Sequence, residues 1–222
     1  KQLLALFILL CAACSDPGKE PDNNSQLVLQ LKPGGNSNGY LYLDEYKSEG
    51  FTPVDSIERK NQNTAILSIP LSEPGIMALR DKHGERFLFP AIPGDTTFIT
   101  GEGLRIQDYR IQGNDEIRRF RELTYVTHAF LDTARILSAL VRDSSGSPNY
   151  PEIRLEVNQR YHQSLENLRS WYREFIDEND SSILSLMALQ NQVGPGIYVL
   201  DPMEDYKVYY RVDSLLSQRY PY

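Results

Sequence analysis

Two cysteines stand three apart as Cys11-Ala12-Ala13-Cys14. That is the formal pattern of a dithiol redox pair, which works when a helix N-terminus lowers the pKa of one thiol. No strand leads into this pair and Asp16-Pro17-Gly18 follows it, so the strand-to-helix setting is missing. His83, His128 and His162 fall in a loop and on two different helices, with no two at ligand spacing, so solvated or core histidines are expected rather than a metal site. Ser56, Ser68 and Ser185 lack the strand-to-helix elbow of a serine nucleophile. Asp177-Glu178 with Asp180 lacks the glycine turn and the distant bidentate Glu of a calcium loop, and reads as a helix end with its cap. Neither Gly94 nor Gly101-Glu102-Gly103 opens a helix as a phosphate loop does. These readings leave no expected catalytic residue, cofactor or metal. Trp171 and Tyr172 are the candidate partner contact: an exposed face there would supply an aromatic anchor, whereas burial against a neighbouring helix is the plainer reading.

The cysteines make better sense through what precedes them. Lys1 leads into Leu3-Leu4-Ala5-Leu6-Phe7-Ile8-Leu9-Leu10, one positive charge before an apolar run too short to span a bilayer permanently. Small residues directly before Cys14 resemble the lipobox at which lipoprotein signal peptidase cuts, with Cys11 at the position where Leu or a branched residue is usual. Residues 1–13 are therefore expected to be a lipoprotein signal peptide, and Cys14 the lipidated residue that anchors the chain to a bacterial membrane. As position 1 is not Met, a residue or two is expected before it. Residues 14–25, from Cys14-Ser15-Asp16-Pro17 to Asn23-Asn24-Ser25, offer nothing to bury and read as a flexible tether. On this reading Cys11 leaves with the signal, the Cys14 sulfur carries lipid, and no free thiol remains for catalysis.

The chain has 222 residues, 41% hydrophobic and 24% charged, enough for a sizeable core behind the anchor. A net charge of −7 without a basic cluster argues against nucleic acid and against anionic headgroups as partners. The 14 tyrosines would suit carbohydrate stacking, but half-buried strands and helix faces account for them more simply.

The hydrophobic period divides the chain in two. From 26 to 112, short alternating or β-branched runs lie between turn signals, which predicts an antiparallel β-sandwich or barrel-like domain. Leu27, Leu29 and Leu31 share one face, Pro33-Gly34-Gly35-Asn36 and Lys60-Asn61-Gln62-Asn63 are turns, and Asp81-Lys82-His83-Gly84 is a hairpin loop. A closing strand is expected over 104–111. From 113 to 222 the period becomes helical, giving an α+β chain overall. Asn114 or Asp115 caps a helix with Phe120, Leu123, Thr127, Phe130, Ala134, Leu137 and Val141 on one stripe. A second stripe holds Ile153, Val157, Tyr161, Leu165, Leu168, Tyr172 and Phe175, and the short link predicts a helical hairpin. A third, shorter helix is expected from Asp180 or Ser181 to Gly194-Pro195-Gly196. A fourth should be capped by Asp201, with Pro202 at its first position, and run toward Gln218.

This order of features resembles the N-terminal region of the TlpA/ResA-like thiol-disulfide oxidoreductases of Bacteroidota. The residues that carry the likeness are Val54-Asp55-Ser56, Phe87-Leu88-Phe89 before Pro93-Gly94-Asp95, Ile111-Gln112-Gly113-Asn114, the run from Phe175 to Ser182, and Arg219-Tyr220-Pro221. The resemblance implies a lipoprotein signal, a β-rich domain of unknown function, a helical stretch and then a thioredoxin module. The Trp-Cys-x-x-Cys of that module does not occur in this sequence, so the chain is expected to be the front part of a longer protein. Its role would be a non-catalytic accessory one: anchoring, positioning, or binding a client protein in the cell envelope, in a periplasm-facing position. A free-standing ligand- or glycan-binding lipoprotein is the alternative, and a pocket lined by aromatics is the feature that would point to it. Inner versus outer membrane, and cell-surface display, stay open at this stage.

Overall fold

The computed structural model describes residues 26–32, 39–47, 49–58, 64–101 and 109–220. The expected signal peptide, the tether with Cys14, the turns at 33–36 and 60–63 and the start of the strand expected at 104–111 lie outside the described residues. Eight strands come first: β1 (Gln26–Lys32), β2 (Tyr40–Lys47), β3 (Gly50–Glu58), β4 (Ala65–Pro70), β5 (Gly75–Arg80), β6 (Arg86–Ala91), β7 (Thr96–Gly101) and β8 (Tyr109–Gln112). Helices α1 (Asp115–Asp143), α2 (Tyr150–Glu178) and α3 (Ile183–Leu189) follow. A small ribbon of β9 (Gln192–Gly194) and β10 (Ile197–Tyr198) then precedes α4 (Tyr206–Arg219).

The strands form two open four-stranded sheets, ordered β4-β1-β7-β8 and β3-β2-β5-β6. Their inner faces feed one hydrophobic core. Leu27, Leu29 and Leu31 from β1 are fully buried, as period-two alternation requires, and join Leu41, Leu43, Met77, Leu79, Phe89 and Ile99. Each such leucine contributes about 1.5–3 kcal/mol by burial. The architecture is α+β with open sheets, and one pairing departs from the antiparallel expectation: β1 runs parallel to β7, from Val28↔Thr96 to Lys32↔Thr100. Parallel neighbours need a long crossover, here supplied by strands β2 to β6.

The three prolines in the described strands sit on sheet edges, where a missing N–H costs no ladder bond. Pro53 is on β3, Pro70 on β4 and Pro90 on β6. At Pro53 the β2–β3 register slips between Leu43↔Asp55 and Asp44↔Pro53, leaving Val54 as the extra residue of a bulge. Beside it Asp44 is almost fully buried and takes both Nε (2.6 Å) and a terminal nitrogen (3.2 Å) of Arg80, with Arg86 Nε at 3.5 Å. Arg80 also lies over the Tyr42 ring and Arg86 over Phe51, so the carboxylate is enclosed by two stacked guanidiniums.

Both β5 faces are buried from Ile76 to Leu79, because α1 covers β6 and β8 and α3 reaches β5. The join between β unit and helices is specific. Asn114 caps α1 by accepting from the Ile117 N–H at 2.9 Å, while its amide donates to the Asp95 carboxylate. The Pro93-Gly94-Asp95 and Ile111-Gln112-Gly113-Asn114 segments thus meet. Gly113 is required there by space, since a Cβ would stand 2.9 Å from Ile117 Cγ1.

Helices α1 and α2 pair as a hairpin, each 29 residues and so about 43 Å long. Their buried residues follow the two expected stripes closely, with Ile117 and Ile176 added. The later elements differ from expectation. Helix α3 starts after Ser182, whose hydroxyl accepts from Leu184 N–H, and it ends at Leu189. Gly194-Pro195-Gly196 makes the β9–β10 turn rather than a helix stop, with Gly196 at φ +71°. Asp201 caps only an isolated turn, accepting from Met203 and Glu204 N–H. The chain redirects at Asp205, whose carboxylate is held by Arg173 of α2 and by Asp201 N–H, and α4 begins one residue later.

Candidate functional site

A cleft of about 860 Å³ lies where α1 packs beside β6 and β8. Residues 86–88 of β6 form one wall and residues 109–111 of β8 another, and both strands are sheet edges. Its floor is apolar because the sandwich opens on this side: Ile76, Ile111, Phe120 and Leu123 are buried beneath it. Phe87 and Met187 are half-buried on the walls, and Tyr125 stands exposed at the rim. Four aromatic residues, Phe87, Tyr109, Phe120 and Tyr125, are among its lining.

Charge around this cleft runs against that of the chain. Arg86, Arg110, Arg118 and Arg121 line it against a single carboxylate, Glu122. Arg118 bonds Glu122 at 2.9 Å and Asp115 at 3.3 Å, and those acids raise its pKa, the Asp115 hydrogen bond most. Arg86 is held toward Asp44. Arg121 is exposed and has no ion pair or hydrogen bond among the described residues.

At the inner end lies a directed hydrogen-bond chain. The Asn191 amide donates to the Tyr172 hydroxyl at 2.6 Å, Tyr172 meets Thr127 Oγ1 at 2.6 Å, and Thr127 donates to the Leu123 carbonyl at 2.7 Å. With the Thr127 proton committed to Leu123, the Tyr172 hydroxyl is the donor between the two. Burial pushes Tyr172 up to about 12 against the opposing hydrogen bonds, so it stays a neutral phenol and acts as a rivet between α1, α2 and the segment after α3.

Of the two residues offered as a partner contact, Tyr172 is therefore inside the core, and Trp171 is half-buried, stacked on Phe175 with ring centres 5.1 Å apart. His83, His128 and His162 are exposed and scattered, and among the described residues no three His, Cys, Asp or Glu side chains converge as metal ligands. Ser56 and Ser68 are exposed, while Ser185 is buried and donates to the Asn179 carbonyl. Asp177 pairs with Arg211 of α4 and Glu178 with Arg119 of α1, so the acidic run pins three helices together. The candidate lipid carrier Cys14 lies outside the described residues, and none of the described helices is long and apolar enough to cross a membrane.

Sequence reasoning missed the cleft because its walls come from segments far apart in the chain. One local signal existed: Thr127 and Tyr172, both hydroxylic, occupy positions on two otherwise apolar stripes that face each other. No protein-family model matches the chain, and no curated protein matches it.

Proposed function

We propose that this chain is a non-catalytic, lipid-anchored accessory region of a cell-envelope thioredoxin-like oxidoreductase, which positions that module and engages its client protein. The order of elements supports the reading: a β-rich unit and then a helical region follow one another, the order that the resemblance to TlpA/ResA-like proteins implies. The observation that carries the client-binding part is the cleft, since an apolar floor with an arginine-rich rim at two strand edges suits polypeptide better than bulk solvent. Lipid on Cys14 would hold the region at the membrane, with the tether giving reach to the folded body.

The alternative, a free-standing ligand- or glycan-binding lipoprotein, is favoured by the four aromatics in the same cleft. Thr124, Gln190 and Asn191 in its lining add mixed donors and acceptors of the kind that hydroxyl groups need. The experiment is activity of the complete gene product with and without residues 26–220. Deletion should spare reduction of a small disulfide substrate and impair turnover of envelope protein disulfides. Equal turnover of both by the deletion variant would remove the accessory role.

A further inference from the structure

The free edge of β6 adds a feature that the cleft's shape alone does not specify. Asp81 N–H bonds the Glu85 carbonyl at 3.0 Å, which makes 81 and 85 the hydrogen-bonded pair that closes the β5–β6 hairpin. In an antiparallel ladder bonded and non-bonded pairs alternate. The next pair, Arg80↔Arg86, is then non-bonded, and so are Ala78↔Leu88 and Ile76↔Pro90. The backbone N–H and C=O groups of Arg86 and Leu88 therefore point away from β5. Pro90 fits the same series, since its missing N–H would also have pointed outward. Among the described residues strand β6 is the last in its sheet, and residues 86–88 line the cleft. The open side of the ladder thus borders the apolar floor and arginine rim described above.

We propose that this edge and cleft bind an extended, acidic-apolar polypeptide segment as an added strand beside β6. This deepens the client-binding reading and rests on it. Backbone groups of Arg86 and Leu88 would hold the segment in strand form, and alternate side chains would fall toward the floor at Ile76 and Phe120 or outward toward the rim. Charge selects the occupant: Arg118 is matched by Asp115 and Glu122 and Arg86 by Asp44, whereas the exposed Arg121 on the same rim is open to an incoming Asp or Glu. Arg121, without a partner of its own, is the residue best placed to take such a carboxylate.

The test uses the full chain in detergent and a fluorescent peptide of alternating Glu and Val, followed by anisotropy. Wild-type protein should bind it, the Lys-Val analogue should not, and binding should weaken as salt is raised. Leu88→Pro removes one outward N–H at a position equivalent to Pro90 and should weaken binding roughly fivefold to tenfold, the worth of about one net hydrogen bond. Leu88→Ala keeps that N–H and should cost less. Arg121→Glu should cost about fivefold, as for an exposed ion pair reversed. Thermal melting of each variant shows whether the fold persists.

Equal binding of the Lys-Val peptide, or equal effects of Leu88→Pro and Leu88→Ala in folded protein, would overturn the proposal. So would a dimer that Leu88→Pro dissociates without any peptide binding, because the edge would then serve a second copy. Tight binding of a fatty-acid anion but no peptide would overturn it as well. Failure to bind peptide while deletion of the region still alters client turnover would sink this site alone. Peptide binding in a protein without a redox module would sink the parent reading alone.

Discussion

Replacing Tyr172 with Phe removes one oxygen from the centre of the helical region and leaves the ring in place. Two hydrogen bonds of 2.6 Å disappear, one to Thr127 and one from Asn191. Each is worth about 0.5–1.5 kcal/mol net. The Asn191 amide already lies 3.4 Å from Thr127 Oγ1 and recovers part of the loss by closing on it. The expected cost is therefore about 1–2 kcal/mol, or roughly 3–6 °C in Tm for a chain of this size. Urea unfolding followed by far-UV circular dichroism measures it, with an unchanged m-value showing that only stability moved. A cycle with Thr127→Val should give a coupling of about 1 kcal/mol, because the two hydroxyls share one proton path. The pH dependence gives a second readout. The Tyr172 hydroxyl is raised from 10.0 to about 12. A group whose folded pKa is raised contributes stability that is fully present below the unfolded value and lost as pH rises through the folded one. Wild-type protein should lose stability between about pH 10 and about pH 12, and Tyr172→Phe should show a shallower loss. Additive single variants, or an unchanged alkaline slope, would refute the buried-rivet account.

Other perturbations follow from the same geometry. Asn114→Ala deletes the α1 cap and the link to Asp95, and should cost about 1–2 kcal/mol in urea unfolding. Asp44→Asn leaves Arg80 and Arg86 facing each other without a charge between them, and should destabilise by about 2 kcal/mol, read as a lower urea midpoint. Cys14→Ala should move the protein from the membrane to the soluble fraction or leave it with its leader uncleaved, and normal membrane fractionation would end the lipoprotein reading.

The helical half was largely legible because its two long stripes repeat every three to four residues, and burial on α1 and α2 follows them, with Ala134, Val141, Ile153 and Tyr161 half-buried where the two helices join and along the hairpin. Asn114 was readable as a cap because it stands directly before that period begins. The pairing of β1 with β7 was not legible, since parallel contact between residues about 70 apart leaves no local mark. Asp201-Pro202 carries a genuine helix-start signature and does cap a turn. The start of α4 is set instead by Arg173, 32 residues earlier, pulling on Asp205. Tyr172 was a partner contact only on condition that its face with Trp171 was exposed, and its place on the apolar stripe already marked it as core. The cleft needed five separate segments to be brought together, from β5, β6, β8, α1 and the end of α3.

The central claim is that this chain serves a thioredoxin-like module in the cell envelope. Reading the coding sequence onward from Tyr222 tests it most directly. Within one further domain length, on the order of 100–150 residues, the account predicts a Trp-Cys-x-x-Cys placed after a strand and opening a helix. A stop codon immediately after Tyr222, or a following domain without that cysteine pair, would contradict it.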